Sequence, residues 1–365
     1  MDIVSRELVG AIPAVTRDMS AETAAIGEEI KFPITSSAGT QDVTPGADVT
    51  EGSGETLGKR VLKITKAKKA DPIVWTGNEQ VMVRGVINQV LLDQTSQRIR
   101  ALVNEIETDM CNEIAASAIG IGNTVGTAGT EPFTSDLKLL TAGLKKLKDQ
   151  GAPTGDLQAV LNTTAGMNLR NLTQLQKVNE AGDRTLLTQG LLGNLMGFNI
   201  RESAGYSEHT AGTAASYLVN GGAKAGDTEV TIDTGSGTFK KGDFVKFGSS
   251  TKVYVIKDDV ASGGTTLKLV SPLQEDVADN AAVTNNGNYF VSGAFDRSSV
   301  WLATRNIPVP EGGDKAIDRY VVTDPISGLS MTAALYPGYF QNQIEISVAW
   351  GVGVIKPEHT IAIIG

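Results

Sequence analysis

Between residues 86 and 118 a single apolar stripe runs along the chain. Ile99, Leu102, Val103, Ile106, Met110 and Ile114 recur at steps of three and four, the spacing of one face of an α-helix. Asp93, Arg98, Glu105, Glu107 and Asp109 occupy much of the remaining surface. The pattern reaches back toward Val86 and stops at Gly120. At 1.5 Å per residue, a helix of that span is on the order of 40–50 Å long. That exceeds the usual globular helix, and its stripe stays buried only if the flanking chain supplies neighbours along the whole length.

Upstream, residues 1–33 mix short apolar stretches with Pro13 and Pro33 and read as an arm. Asp18-Met19-Ser20-Ala21-Glu22 offers a short helix start that Gly27 limits. Residues 34–58 are built from Thr, Ser, Gly, Asp and Pro, with little to bury, and form a long excursion from the body. From Lys59 to Trp75 the pattern turns strand-like, with Val61, Ile64, Ile73, Val74 and Trp75 set among Lys and Thr. A hairpin or loop that projects and returns is expected there.

Downstream, Gly120 to Gly129 reads as a flexible hinge. A second helix follows, capped by Thr134 or Ser135, lined by Leu137, Leu140, Leu144 and Leu147, and closed by Gly151 and Pro153. Leu157 to Leu161 is a short buried strand, and Asn162-Thr163-Thr164 caps a helix running toward Gln176. Leu191 to Ile200 is a turn into a strand, so strand, helix and strand alternate in an α+β domain. From Gly221 to about Val283, short β runs (Glu229-Val230-Thr231-Ile232, Phe244-Val245-Lys246-Phe247, Val253-Tyr254-Val255-Ile256, Thr266-Leu267-Lys268-Leu269-Val270) alternate with glycine turns. Their spacing is that of a small barrel or sandwich inserted into the α+β domain. The α+β pattern resumes with Phe295 to Leu302, and a β-rich tail closes the chain.

Little of this sequence carries catalytic chemistry. The 365 residues allow two or three domains, and 41% hydrophobic with 20% charged residues is a globular balance. Cys111 alone excludes an internal disulfide and a cysteine-based zinc cluster, and is read as a small core residue in a chain kept in a reducing cytoplasm. His209 and His359 lie far apart with no motif around them. No apolar run reaches the ~18 residues of a membrane span. A net charge of −9 argues against coating DNA through a basic surface. Gly52 to Lys59 (GSGETLGK) resembles a phosphate loop, but Ser53 stands where its first glycine belongs and Arg60 replaces the Ser or Thr. Gly120 to Gly126 misses the dinucleotide fingerprint by one residue and follows a helix. Asp258-Asp259 reads as a turn pair. No metal, cofactor or catalytic residue is expected, and the chain is not read as an enzyme.

The one notable charge cluster is Lys59, Arg60, Lys63, Lys66, Lys68 and Lys69. It is either a solvated hairpin face or a contact with an acidic neighbour, a second subunit or nucleic acid. It lacks the interleaved aromatics of a single-strand stacking platform, and in a chain of this charge an acidic surface of the same protein is the nearer partner.

Four stretches together resemble the major capsid proteins of tailed bacteriophages, which share the HK97-type fold. Residues 344–358 (IEISVAWGVGVIKPE) look like that family's closing strand, aromatic–Gly turn and basic-Pro-Glu ending. Thr238-Phe239-Lys240-Lys241-Gly242-Asp243 is similar to its lysine-Gly-Asp turn, Gly197-Phe198-Asn199-Ile200 to the entry before its insert, and Ser298-Ser299-Val300-Trp301 to the segment after it. The nearest likeness is to coat proteins of short-tailed phages with an inserted β-barrel, although this insert is shorter and Asn220-Gly221-Gly222-Ala223 opens no long charged loop.

The resemblance implies an α+β, HK97-like fold. Residues 1–33 would be the N-terminal arm and 34–78 the extended loop over a neighbouring subunit. Residues 79–130 would form the peripheral domain with its spine helix, 131–220 the first part of the axial domain, and 221–290 the inserted β domain. Residues 291–340 would complete the axial domain and return to the peripheral one, whose β tail is 341–365. It further implies pentamers and hexamers of an icosahedral shell around double-stranded DNA, assembled in a bacterial cytoplasm and carried in the virion. A scaffolding protein, a portal protein and, in some members, a decoration protein would be partners, with DNA contacted non-specifically and no membrane. The basic cluster would face an adjacent subunit. Another phage structural or surface protein built on β domains, such as a tail-tube or adhesion component, is the alternative.

Overall fold

The helix expected over 86–118 runs Ile87–Gly120 in a computed structural model that describes residues 10–18, 23–34, 46, 58–82, 87–176, 193–250 and 252–365. At 34 residues it is about 50 Å long. All six residues of the apolar stripe are buried. Its neighbours are two different sheets, and it lies across both.

The first sheet is seven-stranded and organised around Gln341–Val354, a strand of 14 residues. In order it holds Thr16–Asp18, Val300–Arg305, Gln341–Val354, Ser330–Gly338 and Asp318–Thr323, and the long strand also pairs with Lys66–Lys69 and Ile73–Thr76. Ile346, Val348 and Trp350 alternate toward the helix and are fully buried. The Trp350 indole N–H donates to Asp109 Oδ2 of the helix at 2.9 Å. The opposite face carries Ala349, Gly351 and Gly353, and the small residues have a steric reason. A Cβ on Gly353 would stand 2.7 Å from Leu62 Cδ1, in the two-stranded ribbon formed by Glu29–Ile34 and Gly58–Lys63. The expected turn at Trp350-Gly351 is therefore absent, because the strand runs straight through it.

The second sheet orders Thr124–Gly126, Thr360–Ile364, Val291–Asp296, Leu157–Leu161, Phe198–Glu202 and Asn194–Leu195. Leu157–Leu161 is buried throughout, with the helices Lys138–Asp149 and Thr163–Asn171 contributing to the core on one side. Thus the C-terminal tail divides: Gln341–Val354 belongs to the first sheet and Thr360–Ile364 to the second. The link after Gly120 is pinned rather than hinge-like. Thr124–Gly126 pairs in parallel with Thr360–Ile364, and buried Asn123 donates through Nδ2 to Gln150 Oε1 and Thr360 O at 2.7 and 2.8 Å. Two local expectations also change. Asp136, not Thr134 or Ser135, accepts an amide at the start of the second helix. The helix capped by Asn162 ends at Asn171 and a separate turn of helix covers Thr173–Gln176.

The third sheet orders Tyr254–Val255, Phe244–Phe247, Ala282–Asn285, Tyr217–Val219, Glu229–Asp233 and Thr266–Lys268 around its own apolar core. Its two end strands meet through the Ile256–Leu269 bridge, and the amides of Lys257 and Val270 donate across the same seam. It starts earlier than position 221, since Tyr217–Val219 lies at its centre.

The segment expected as an arm is partly built into the body. Residues 10–15 other than Pro13 are buried, Thr16–Asp18 is a strand rather than the start of a helix, and the rest of Asp18–Glu22 lies outside the described residues. Glu107, fully buried on the long helix, accepts the amides of Gly10, Ala11 and Ile12 at 2.8, 2.5 and 2.9 Å. Charge-assisted bonds of this kind are strong, and their loss leaves buried donors unpaired. Glu107→Ala is expected to lower stability by about 3 kcal/mol. A urea midpoint equal to that of the parent chain would remove Glu107 from this role.

Candidate inter-subunit surfaces

The six basic residues do not remain one patch. Lys63 pairs with Glu29 across the ribbon at 3.1 Å. Lys66 reaches Asp109 at 2.8 Å and Glu105 at 3.6 Å, Lys68 binds Glu105, and Lys69 reaches Glu345 at 2.7 Å. The hydrogen bond to Asp109 raises the Lys66 pKa above the ordinary lysine value, against a smaller opposing effect of burial. Four of the six are thus held by carboxylates of their own chain, three of them fastening the strand Lys66–Lys69 to the helix and to the long strand. Exposed pairs of this kind contribute a few tenths of a kcal/mol each. Lys59 and Arg60 have no ion-pair partner among the described residues and are exposed toward the Ile34–Gly58 end of the ribbon.

Two apolar surfaces escaped the sequence reading. Tyr339 and Phe340 are 90% and 80% exposed at the tip of the hairpin joining Ser330–Gly338 to Gln341–Val354, and Phe340 holds a positive φ of 55°. A non-glycine residue in that region is strained by about 1 kcal/mol or more. Val81 and Met82 are exposed at the same end, because Ile73–Thr76, which leads into their helix Gly77–Met82, sets Thr76 opposite Gln341. The signal was present: Pro337-Gly338 marks a turn, and two aromatics follow where polar residues are usual. The second surface is the strand Asp318–Thr323, at the edge of the first sheet, where Tyr320 and Val321 are exposed.

The neck of the third sheet is the most polar buried cluster near its base. The incoming chain at His209 and the outgoing chain at Tyr289 form an antiparallel bridge, and their rings stack at 4.7 Å. Asp243 is fully buried between them. It accepts from His209 Nε2 at 2.8 Å, from the amides of Gly212 and Lys240 at 3.0 and 2.9 Å, and from Asn285 Nδ2 at 3.0 Å. Burial pushes its carboxyl up, but the bonds from His209 and the two amides outweigh this and hold its pKa below the usual range. Beside the neck a cavity of about 860 Å³ opens between Ile119 at the end of the long helix, Glu208, Lys241 and Asp258.

None of these places assembles a reactive constellation. Among the described residues no group of three or more His, Cys, Asp and Glu is arranged to hold a metal. Cys111 is buried, and burial first, then the nearby Glu107 charge, push its thiol far above the ordinary value. Asp259 accepts the Lys241 amide at 2.6 Å, a contact between two segments of the insert and not the local turn expected of the Asp258-Asp259 pair. His359 is half-buried, and burial lowers its pKa.

No protein-family model and no curated protein matches the chain. Solved structures do. One described as Mycobacterium phage Che8 matches over all of this chain and 94% of its own, with a TM-score of 0.50 at 14% identity. The capsid structure of the cyanophage P-SCSP1u matches over 100% and 90%, with a TM-score of 0.48 at 15% identity. The capsid of an empty GTA particle matches over 100% and 91%, with a TM-score of 0.45 at 9% identity. The full-length likeness to the Che8 phage structure places the chain in the same fold, the HK97-like one, mixed α+β with a single long helix.

Asp243 carries a pH prediction. A carboxyl whose folded pKa is depressed contributes stability that is present above the unfolded value, near ~4, and is lost as pH falls through the folded one. Asp243→Asn is therefore expected to melt lower than the parent at pH 7, by about 2 kcal/mol, with the gap closing toward pH 3. A gap that stays constant with pH would contradict the assignment.

Proposed function

We propose that this protein is the major capsid protein of a tailed bacteriophage, assembling into the pentamers and hexamers of an icosahedral shell that encloses double-stranded DNA. The observation that carries the proposal is the end-to-end correspondence with the Che8 phage structure, 100% of this chain against 94% of that one. The order of parts agrees with it: buried N-terminal segment, basic ribbon, long helix, second sheet interrupted by a third, and a return to the first sheet.

In this reading the helix Ile87–Gly120 is the spine, the first sheet belongs to the peripheral domain, and the second sheet to the axial domain. The third sheet, whose end strands meet, is the inserted barrel, and the ribbon belongs to the extended loop, which is not 34–78 as a whole because Lys66–Lys69 and Ile73–Thr76 are strands of the first sheet. Closed shells require one sequence to occupy several nearly equivalent positions, and many individually weak contacts then add to a durable whole. With the 120–129 link and the neck of the insert both pinned, the latitude for this lies with the ribbon. Residues 36–57, apart from Gly46, lie outside the described residues. Of the basic cluster, Lys59 and Arg60 are the contact candidates, because Lys63, Lys66, Lys68 and Lys69 already have partners in the chain. The exposed tip Tyr339-Phe340 is a second candidate.

Assembly through a precursor shell with a scaffolding protein, a portal at one vertex, non-specific contact with packaged DNA and a decoration protein belong to the same reading. The protein's work is structural, and its place is the virion. A tail-tube or adhesion component is disfavoured by a 34-residue helix lying across two sheets. Negative-stain microscopy of the purified chain, alone and with the scaffolding candidate encoded beside it, is expected to show closed polyhedral shells. Tubes, or monomers under every condition, would overturn the proposal.

A further inference from the structure

The strand Asp318–Thr323 ends the first sheet, and among the described residues no strand pairs with its outer edge. Proteins ordinarily guard such an edge with lysines, a proline, a bulge or a very short strand. This one has six residues, no lysine, no proline, and a register to Ser330–Gly338 that advances one residue at a time. Its only cation, Arg319, is turned back onto Asp314 of its own chain. Ile317, Tyr320, Val321 and Ile326 are 62, 48, 59 and 59% exposed along it. The Asp318 carboxylate is exposed and, among the described residues, is bonded only to the neighbouring Arg319 amide.

The ribbon presents the converse edge. Its two strands, Glu29–Ile34 and Gly58–Lys63, are also six residues long and, among the described residues, pair only with each other. Pro33 lacks an amide proton and blunts the first of them. The second carries Lys59, Arg60 and the exposed Val61, and the two charges are unneutralised among the described residues. Two such basic edges repel one another, so ribbon-to-ribbon pairing is disfavoured. An edge that offers backbone hydrogen bonds, apolar side chains and a free carboxylate is not.

We propose that in the assembled protein the strand Gly58–Lys63 of one copy adds to the open edge Asp318–Thr323 of a second copy. The pairing extends the seven-stranded sheet across the subunit boundary, with Lys59 and Arg60 drawn to Asp318 and Val61 lying beside an exposed apolar side chain of the edge. The occupant is a second copy of this chain. The proposal rests on the capsid reading and names the edge that the basic ribbon meets. Strand addition of this type takes affinity from main-chain bonds and specificity from side chains along the edge.

The test uses the full chain carrying Arg60→Cys and, separately, Tyr320→Cys. Cys111 is buried and does not compete for a thiol reagent. The two variants are co-assembled and treated with a short bis-maleimide, and the products are run on a denaturing gel. Covalent dimers in the mixture, at least several-fold above either variant alone, are the expected result. Shells that form without such dimers overturn the proposal and leave the capsid reading intact. Dimers from Tyr320→Cys alone overturn it as well, because two open edges would then be meeting each other. A parent chain that forms no particles removes the capsid reading and this proposal with it. Independently, Tyr320→Lys with Val321→Lys guards the edge, and is expected to abolish particles while leaving the monomer's melting temperature unchanged. Particles at the parental yield from that variant would also refute strand addition.

Discussion

Three carboxylates within five residues of the long helix tie together parts of the chain that are remote in sequence. Glu107 takes three amides of the N-terminal segment, Asp109 takes the Trp350 indole and Lys66, and Glu105 takes Lys66 and Lys68. The apolar stripe buries the helix without regard to direction, and these polar contacts set which segment lies where. The lysine pairs add a few tenths of a kcal/mol each to a strand already paired with Gln341–Val354, whereas Glu107 anchors the N-terminal residues on the helix. Glu107 is the most demanding of the three, since it alone is fully buried and its bonds all go to backbone donors.

Much of the fold was legible because two periodicities carried it. The step of three and four located the long helix to within a residue or two, and the alternation in residues 344–354 located the strand on which the first sheet is built. The parts that misled were those in which tertiary contacts override local chemistry. Gly120 to Gly129 has the composition of a hinge, yet Asn123 and the pairing with Thr360–Ile364 hold it. Trp350-Gly351 has the look of a turn, yet the glycines are there to admit Leu62 and its neighbours.

The candidate surfaces were less legible for a related reason. A run of lysines announces charge, but not which carboxylate will answer it, and Glu105, Asp109 and Glu345 come from segments far along the chain. The open edge Asp318–Thr323 left no mark at all in the sequence, because an edge is a property of the strand order and not of the strand. Tyr339 and Phe340 were readable in principle, as aromatics placed where a turn calls for polar residues.

The neck of the third sheet has a consequence of another kind. Its chain enters at His209 and leaves at Tyr289, side by side, so what lies between closes largely on itself, with Phe244 and Val255 at its base packed into the core of the body. A module wired in this way can lengthen, shrink or be exchanged over generations while the surrounding architecture stays in register. The turns farthest from the neck are, for the same reason, natural ports at which foreign peptides can be inserted without disturbing the long helix.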